Sequence, residues 1–177
     1  MPNLINKILI ENIYTNIVKT SRNKNFFLTF KVEDTVEGRF DIIILHSFIV
    51  FQFFLHIGQK KSDLSQMLFD HMFADFDNNL REMGFGDIAV NKRMKQFIKA
   101  FYGRISNYSK SQSEFEKMND DTMLNRTILR NIYKDKNPGS KCINYWKVYI
   151  VDNIKYLNNN TLDKNINNLF SFKKIDK

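Results

Sequence analysis

A chain of 177 residues with a formal net charge of +8, 17 Phe and a single cysteine is most simply one domain, able to bury about 70% of its unfolded surface without a metal or disulfide staple. The lone Cys142 cannot form an internal disulfide, which excludes a disulfide-bonded secreted scaffold and fits a reducing compartment. The cationic excess invites a nucleic-acid or anionic-lipid partner, but 20 Lys and 22 Asn against 7 Arg is also the bias an AT-rich coding sequence leaves on a solvated surface.

In chain order, Leu4, Ile5, Ile8, Leu9, Ile13, Ile17 and Val18 recur at intervals of three and four, which predicts an amphipathic helix ending between Ser21 and Asn25. Charges at Lys7, Glu11 and Lys19 interrupt the apolar run a signal peptide needs. Phe26, Phe27, Phe30 and Val32 make a short apolar connector, a helical turn or an extended strip. The next helix, over about 38–57, is the centre of the expected fold: Ile42, Leu45, Phe48, Ile49, Phe51, Phe53 and Phe54 point in every direction around it, so it must be buried. His46, Ser47, Gln52 and His56 leave it short of the roughly 20 apolar residues of a membrane span. Thr35 is placed to cap it, with Asp34 or Glu37 near the positive end of its dipole. Gly38 inside its first turn marks a close backbone approach, and Arg39 and Asp41 at its mouth can pair with each other or reach neighbouring helices.

Gly58 reads as a helix stop followed by a turn at Gln59, Lys60 and Lys61, and Ser62 or Asp63 as the cap of a helix to Met83. Leu68, Phe69, Met72, Phe73, Phe76, Leu80 and Met83 share its apolar face, and Asp77 to Arg81 is an i,i+4 pair. Gly84 and Gly86 bracket Phe85 in a tight bend, and Asp87 is placed to cap a helix to about Tyr108, with Val90, Met94, Phe97, Ile98, Phe101 and Ile105 inward and Lys92, Lys95 and Lys99 outward. So short a connection predicts an antiparallel pair. Lys110 to Ser113 reads as a polar break before a helix to Lys134, and Asn137, Pro138 and Gly139 as a loop. From Cys142 to Leu157 propensity favours a strand, but the spacing of Cys142, Trp146, Tyr149, Asn153 and Tyr156 is helical. The expected architecture is all-α, five to seven helices over residues 1–160. An Asn/Lys-rich tail, 161–177, carries one short helix at Thr161 to Phe170.

The chemistry-bearing side chains form no reactive constellation. Asp70 and Asp77 lie two turns apart, about 10 Å along the axis, and with Asp63, His71, Asp75 and Glu82 read as a solvated acidic face. His46 and His56 sit on different sides of the central helix and read as satisfied core histidines. No base stands beside Cys142 in sequence, and no phosphate loop or nucleophile elbow occurs. Nothing in the residues points to an enzyme, a cofactor or a metal.

Two stretches carry a resemblance. Residues 32–46, V-E-D-T-V-E-G-R-F-D-I-I-I-L-H, and residues 68–104, with the motifs D-x-x-L-R-E-M-G-x-G-D and A-F-Y-G-R, resemble the ubiquinol-cytochrome c chaperone family. A weaker match, L-R-N-I-Y, follows at Leu129 to Tyr133. One departure is Glu33, where the family commonly has proline. The resemblance implies an all-helical, non-catalytic assembly factor of respiratory complex III that holds newly made cytochrome b. Mitochondrial members work with a small partner protein and sit near the ribosomal tunnel exit, and the short length here is similar to bacterial members. A cytoplasmic protein peripheral to the inner membrane is expected, with cytochrome b as client, a ribosome or an anionic lipid surface as further partners, and no DNA.

A chaperone for a membrane protein needs an adaptable apolar surface with orienting charges. The expected partner-binding surface presents Phe73, Met83, Phe85, Phe101 and Tyr102, rimmed by Arg39, Arg81, Lys92, Arg93 and Arg104, with Asp41, Asp77 and Glu82 among them. The alternative is that these aromatics are core and that Arg39, Asp41, Asp77, Arg81 and Glu82 form structural pairs. A rival function is a basic helical module that binds RNA or the ribosome through the Lys92, Lys95, Lys99 stripe.

Overall fold

The computed structural model describes residues 4–58, 63–160 and 171–173. Its first helix, α1 (Leu4–Ser21), buries Leu9, Ile10, Ile13, Tyr14 and Ile17 along one stripe, while Leu4 and Ile8 remain exposed. The chain then makes both forms of connector: a single turn, α2 (Asn25–Leu28), and an extended stretch that carries Phe30 and Val32 into the core. Phe26 stacks on Trp146 with ring centroids 5.0 Å apart, a contact worth about 0.5–1.5 kcal/mol beyond its buried area.

Helix α3 (Val36–His56) is the axis of the molecule. It packs against α1, α4, α5, α6 and α7, and thirteen of its 21 residues are buried. Length and composition alone would let it cross a membrane, but here its apolar sides meet other helices. Burial also dictates the fate of its polar side chains. His46 Nδ1 lies 2.8 Å from the Ile42 carbonyl and 3.1 Å from Ser21 Oγ, and Nε2 lies 2.8 Å from Tyr149 Oη. Because a carbonyl only accepts, Nδ1 carries the proton and Nε2 accepts from Tyr149. Burial pushes the His46 pKa down to about 4, against the opposing pull of the Ile42 carbonyl. His56, by contrast, is exposed and is no core histidine. Gly58, at φ +72°, ends the helix in the left-handed conformation that glycine adopts without strain. The expected turn and cap at 59–62, and the short helix at 161–170, lie outside the described residues.

Helices α4 (Asp63–Glu82) and α5 (Asp87–Met118) run antiparallel, as Phe76 on Phe97 and Phe69 on Phe101 show by their opposite order. Here the expected boundaries need correction. α5 passes through Lys110–Ser113 without a break, because its polar side chains are satisfied in place: Ser111 Oγ donates to the Asn107 carbonyl at 2.6 Å and lies 2.6 Å from Thr127 Oγ1, and Gln112 bonds Glu116. The break comes at Asn119, left-handed at φ 53°, before α6 (Thr122–Tyr133). The expected helix end near Tyr108 thus moves to Met118, and A-F-Y-G-R lies well inside α5. Helix α7 (Ser140–Asn160) buries Cys142, Trp146, Tyr149, Ile150, Asn153, Ile154 and Leu157, so spacing outweighs strand propensity. Beyond it, Phe172 packs edge-on against His46 and Lys173 pairs with Asp152 at 2.7 Å. The seven helices make an all-α bundle, with no strand among the described residues.

Candidate partner-binding surface

The start of α3 explains D-T-V-E-G-R-F-D one residue at a time. Thr35 Oγ1 accepts from the Gly38 amide at 3.0 Å and closes the helix N-terminus. A Cβ on Gly38 would stand 2.0 Å from the Glu33 carbonyl oxygen, so the close approach read from the sequence is real and only glycine permits it. Arg39 does not pair with Asp41. It turns outward, donating through Nε and Nη2 to the Asp34 carboxylate at 2.6 and 3.2 Å. Glu33, in the place of the family's common proline, pairs with Lys136 at 2.8 Å.

Phe40 faces inward and stacks on Phe97 with centroids 4.3 Å apart. Asp41 is only 1% exposed and lies between two cations: Arg104 Nη2 stands 2.7 Å from Oδ1, off the hydrogen-bond axis, and Lys134 Nζ donates to Oδ2. Burial pushes this carboxyl's pKa up, and Arg104 and Lys134 oppose the push. The motif thus joins α3 to the middle of α5 and to the end of α6.

The second motif folds into the α4–α5 bend. Gly84 takes φ +87°, a value that costs a side-chain-bearing residue dearly. Arg81 spans the bend, donating through Nε to Asp77 at 2.5 Å and through Nη1 to Asp87. Asp87 is therefore a pairing residue of the first turn, and Gly86 holds the cap position with no side-chain bond. Phe85 lies under the Arg93 guanidinium, 4.4 Å from ring centroid to Cζ, and Arg93 stands 4.0 Å from Glu37.

Between this bend, α1, α2 and the start of α3 opens a cleft of about 500 Å³. Phe40, Ile43, Phe76 and Leu80 line it with apolar surface, and Arg22, Asp34, Arg39 and Asn79 give it a polar border. Met83, 59% exposed, and the exposed Val36 belong to the same lining. On one side Tyr14 Oη donates to Asp75 Oδ2 at 2.6 Å; burial, with this bond second, pushes the phenol's pKa up. This arrangement holds apolar side chains of a partner and offers charges of both signs to orient them.

Of the residues expected at a partner surface, Arg39, Asp77, Arg81, Glu82, Met83, Phe85 and Arg93 gather around the bend and the first turns of α3 and α5. Phe73 and Phe101 do not belong to it: they touch edge to face at 5.5 Å inside the core, because both fall on the buried faces of an antiparallel pair. Asp41 and Arg104 form the buried pair beneath. Lys92 is exposed on the outer face of α5, and Tyr102 is 55% exposed on the same face. The sequence reading missed Tyr14, Val18, Phe27 and Asp75 as cleft residues. Only tertiary contact brings Tyr14 to Asp75, 61 positions away.

The described residues form an all-helical bundle with an apolar cleft. Residues 28–161 match the ubiquinol-cytochrome C chaperone family, so the chain belongs to that family. It is similar to ubiquinol-cytochrome c reductase complex assembly factor 1 of Mus musculus, 22% identical over 151 residues, and of Homo sapiens, 23% identical. Both alignments cover 85% of this chain but only 50% and 49% of the relatives, so the chain spans about half their length. A solved structure, the Cbp3 homolog from Brucella abortus, superposes with a TM-score of 0.78 at 29% identity, covering 98% of this chain and 93% of that one.

Proposed function

We propose that this protein is a non-catalytic chaperone for assembly of ubiquinol-cytochrome c reductase, working on the cytoplasmic side of an energy-transducing membrane, and that it holds newly made cytochrome b through the cleft between the α4–α5 bend and the start of α3. The observation that carries the site is the apolar cleft itself, bordered by charge and reached by the exposed thioether of Met83. Thioethers adapt to irregular apolar partners without a fixed shape, and an apolar recess with polar edges shields a membrane segment before it meets its own neighbours. Family membership and the names of its relatives support the assembly role.

The test is capture of cytochrome b from detergent-solubilised native membranes by wild type and by Met83→Asp. Met83 touches no ion pair, so its replacement leaves the bend intact, whereas Arg81 and Phe85 help to build the bend and are poorer probes. Recovery of cytochrome b by wild type and its loss in Met83→Asp is the expected result. Equal recovery by both moves the contact elsewhere, and recovery by neither removes cytochrome b as client.

A further inference from the structure

We infer that a second, polar cleft between α5 and α6 binds the phosphate of an anionic lipid headgroup and seats the protein on a membrane by the outer face of α5. The cleft, about 420 Å³ in volume, is lined by Lys99, Arg104 and Arg130 and contains no acidic side chain. Gln96, Asn107 and Asn131 add neutral amides, and Ala100 and Gly103 leave the α5 backbone open to close approach. A Cβ on Gly103 would meet nothing within 4 Å, so no packing constraint from this chain demands glycine there. Arg104 is already paired with Asp41 beneath the cleft, so Lys99 and Arg130 supply its uncommitted cationic donors, and two such donors on a concave surface lined by no carboxylate match a phosphate.

The surroundings extend the same chemistry. From Ile88 to Ser113 α5 carries Lys92, Arg93, Lys95, Lys99, Arg104 and Lys110 and no acid, and α6 carries Arg126 and Arg130 and no acid. Lys92, Lys95, Lys99 and Arg130 take part in none of the ion pairs among the described residues. Their charge is therefore unspent within the chain. Ile88, Lys92, Lys95, Lys99 and Tyr102 follow one another at i, i+4, i+7, i+11 and i+14, a single stripe about 21 Å long, and all five are exposed.

That stripe favours a lipid surface over RNA. It has an apolar residue at each end, Ile88 at 88% exposed and Tyr102 at 55%, with three lysines between. Long cationic side chains reach headgroups from such a face while apolar neighbours enter the interface. Single-stranded RNA is held by stacking on several aromatic rings, and this stripe offers one. The inference rests on the reading of a membrane-peripheral protein and gives that reading a site.

The experiment is co-flotation of the full chain, without client, with phosphatidylcholine vesicles that contain or lack phosphatidylglycerol. The variant Lys99→Glu/Arg130→Glu is compared with Lys19→Glu/Lys155→Glu, which makes the same change of net charge at exposed positions on α1 and α7. All three proteins are first matched by circular dichroism. Wild type is expected to float only with phosphatidylglycerol. The α5/α6 variant should bind at least about tenfold more weakly and the control by less than about threefold, since each cation near an anionic surface contributes independently. Equal losses in the two variants would reduce the effect to net charge and overturn the site. Wild type that ignores the vesicles, or that binds single-stranded RNA through the same two residues more tightly than it binds vesicles, overturns the lipid assignment. Cytochrome b capture by the α5/α6 variant separates the two readings: if capture persists while flotation is lost, the lipid site and the client cleft are distinct.

Discussion

Two clusters of three charges, built alike with signs reversed, draw their residues, Lys134 apart, from the sequence motifs. In one, a single acid, Asp41, sits between Arg104 and Lys134, and in the other a single base, Arg81, sits between Asp77 and Asp87. Their geometry is similar and their surroundings are opposite, since Asp41 is 1% exposed while the Arg81 side chain is 44% exposed. Water around Arg81 supplies most of what its partners supply, so the cluster orients the bend without holding the fold together. Around Asp41 there is no such substitute. A buried ion pair adds little over apolar packing, but removing one member strands the others.

The largest expected effect breaks the buried cluster. Asp41→Ala removes the ion-pair partner of both Arg104 and Lys134 and is expected to cost about 3–5 kcal/mol. Lys134→Ala should cost much less than Arg104→Ala, because the Lys134 side chain is 44% exposed and that of Arg104 only 19%. Urea denaturation of the three variants checks both statements, and equal costs for Arg104 and Lys134 would refute the account of Asp41.

Next in size is His46, five residues beyond Asp41 on α3 and buried among neutral partners. It sheds its proton because burial disfavours the charged ring. Its folded pKa of about 4 lies below the ordinary 6.5, so the neutral ring stabilises the fold fully above pH 6.5, and this contribution drains away as pH falls through 4. The loss is on the order of 3 kcal/mol. Stability measured from pH 7 to 4 should fall in wild type and fall less steeply in His46→Gln. Gly38→Ala ranks third: its methyl meets a backbone carbonyl, which cannot swing aside as a side chain can, and a cost of about 1–3 kcal/mol is expected by thermal unfolding.

The fold could be read from the sequence where one physical rule acted alone. The all-round apolar run of α3, the 3.6-residue spacing of α7, and the glycines at 58 and 84 each fixed an element. The reading failed where a polar side chain had two uses. Ser111 and Gln112 looked like a break because such residues favour turns, yet inside the bundle they bond to α5 and α6 and are buried. At the candidate surface, local pattern placed the charged residues near the bend but could not tell which phenylalanines face the core. That depends on the pairing of α4 with α5, which buries Phe73 and Phe101 and leaves Met83 and Tyr102 in solvent. Asp34 and Asp41 flank Arg39 in sequence, and only the direction of the first helical turn decides that Arg39 takes the outer one.

The smallest expected effect on stability comes from breaking the exposed cluster. Arg81→Ala removes the pair with Asp77 within α4 and the pair with Asp87 across the bend, but Asp77 and Asp87 are then left in contact with water, and Gly84 still sets the backbone turn. The denaturation midpoint should stay at the wild-type value, in contrast to Asp41→Ala. What should change is the rigidity of the segment that carries Met83, because the Arg81–Asp87 pair ties the end of α4 to the start of α5. Faster amide exchange at Met83 to Asp87 with an unchanged midpoint is the expected outcome. A midpoint that falls as far as in Asp41→Ala would show that burial is not what separates the two clusters.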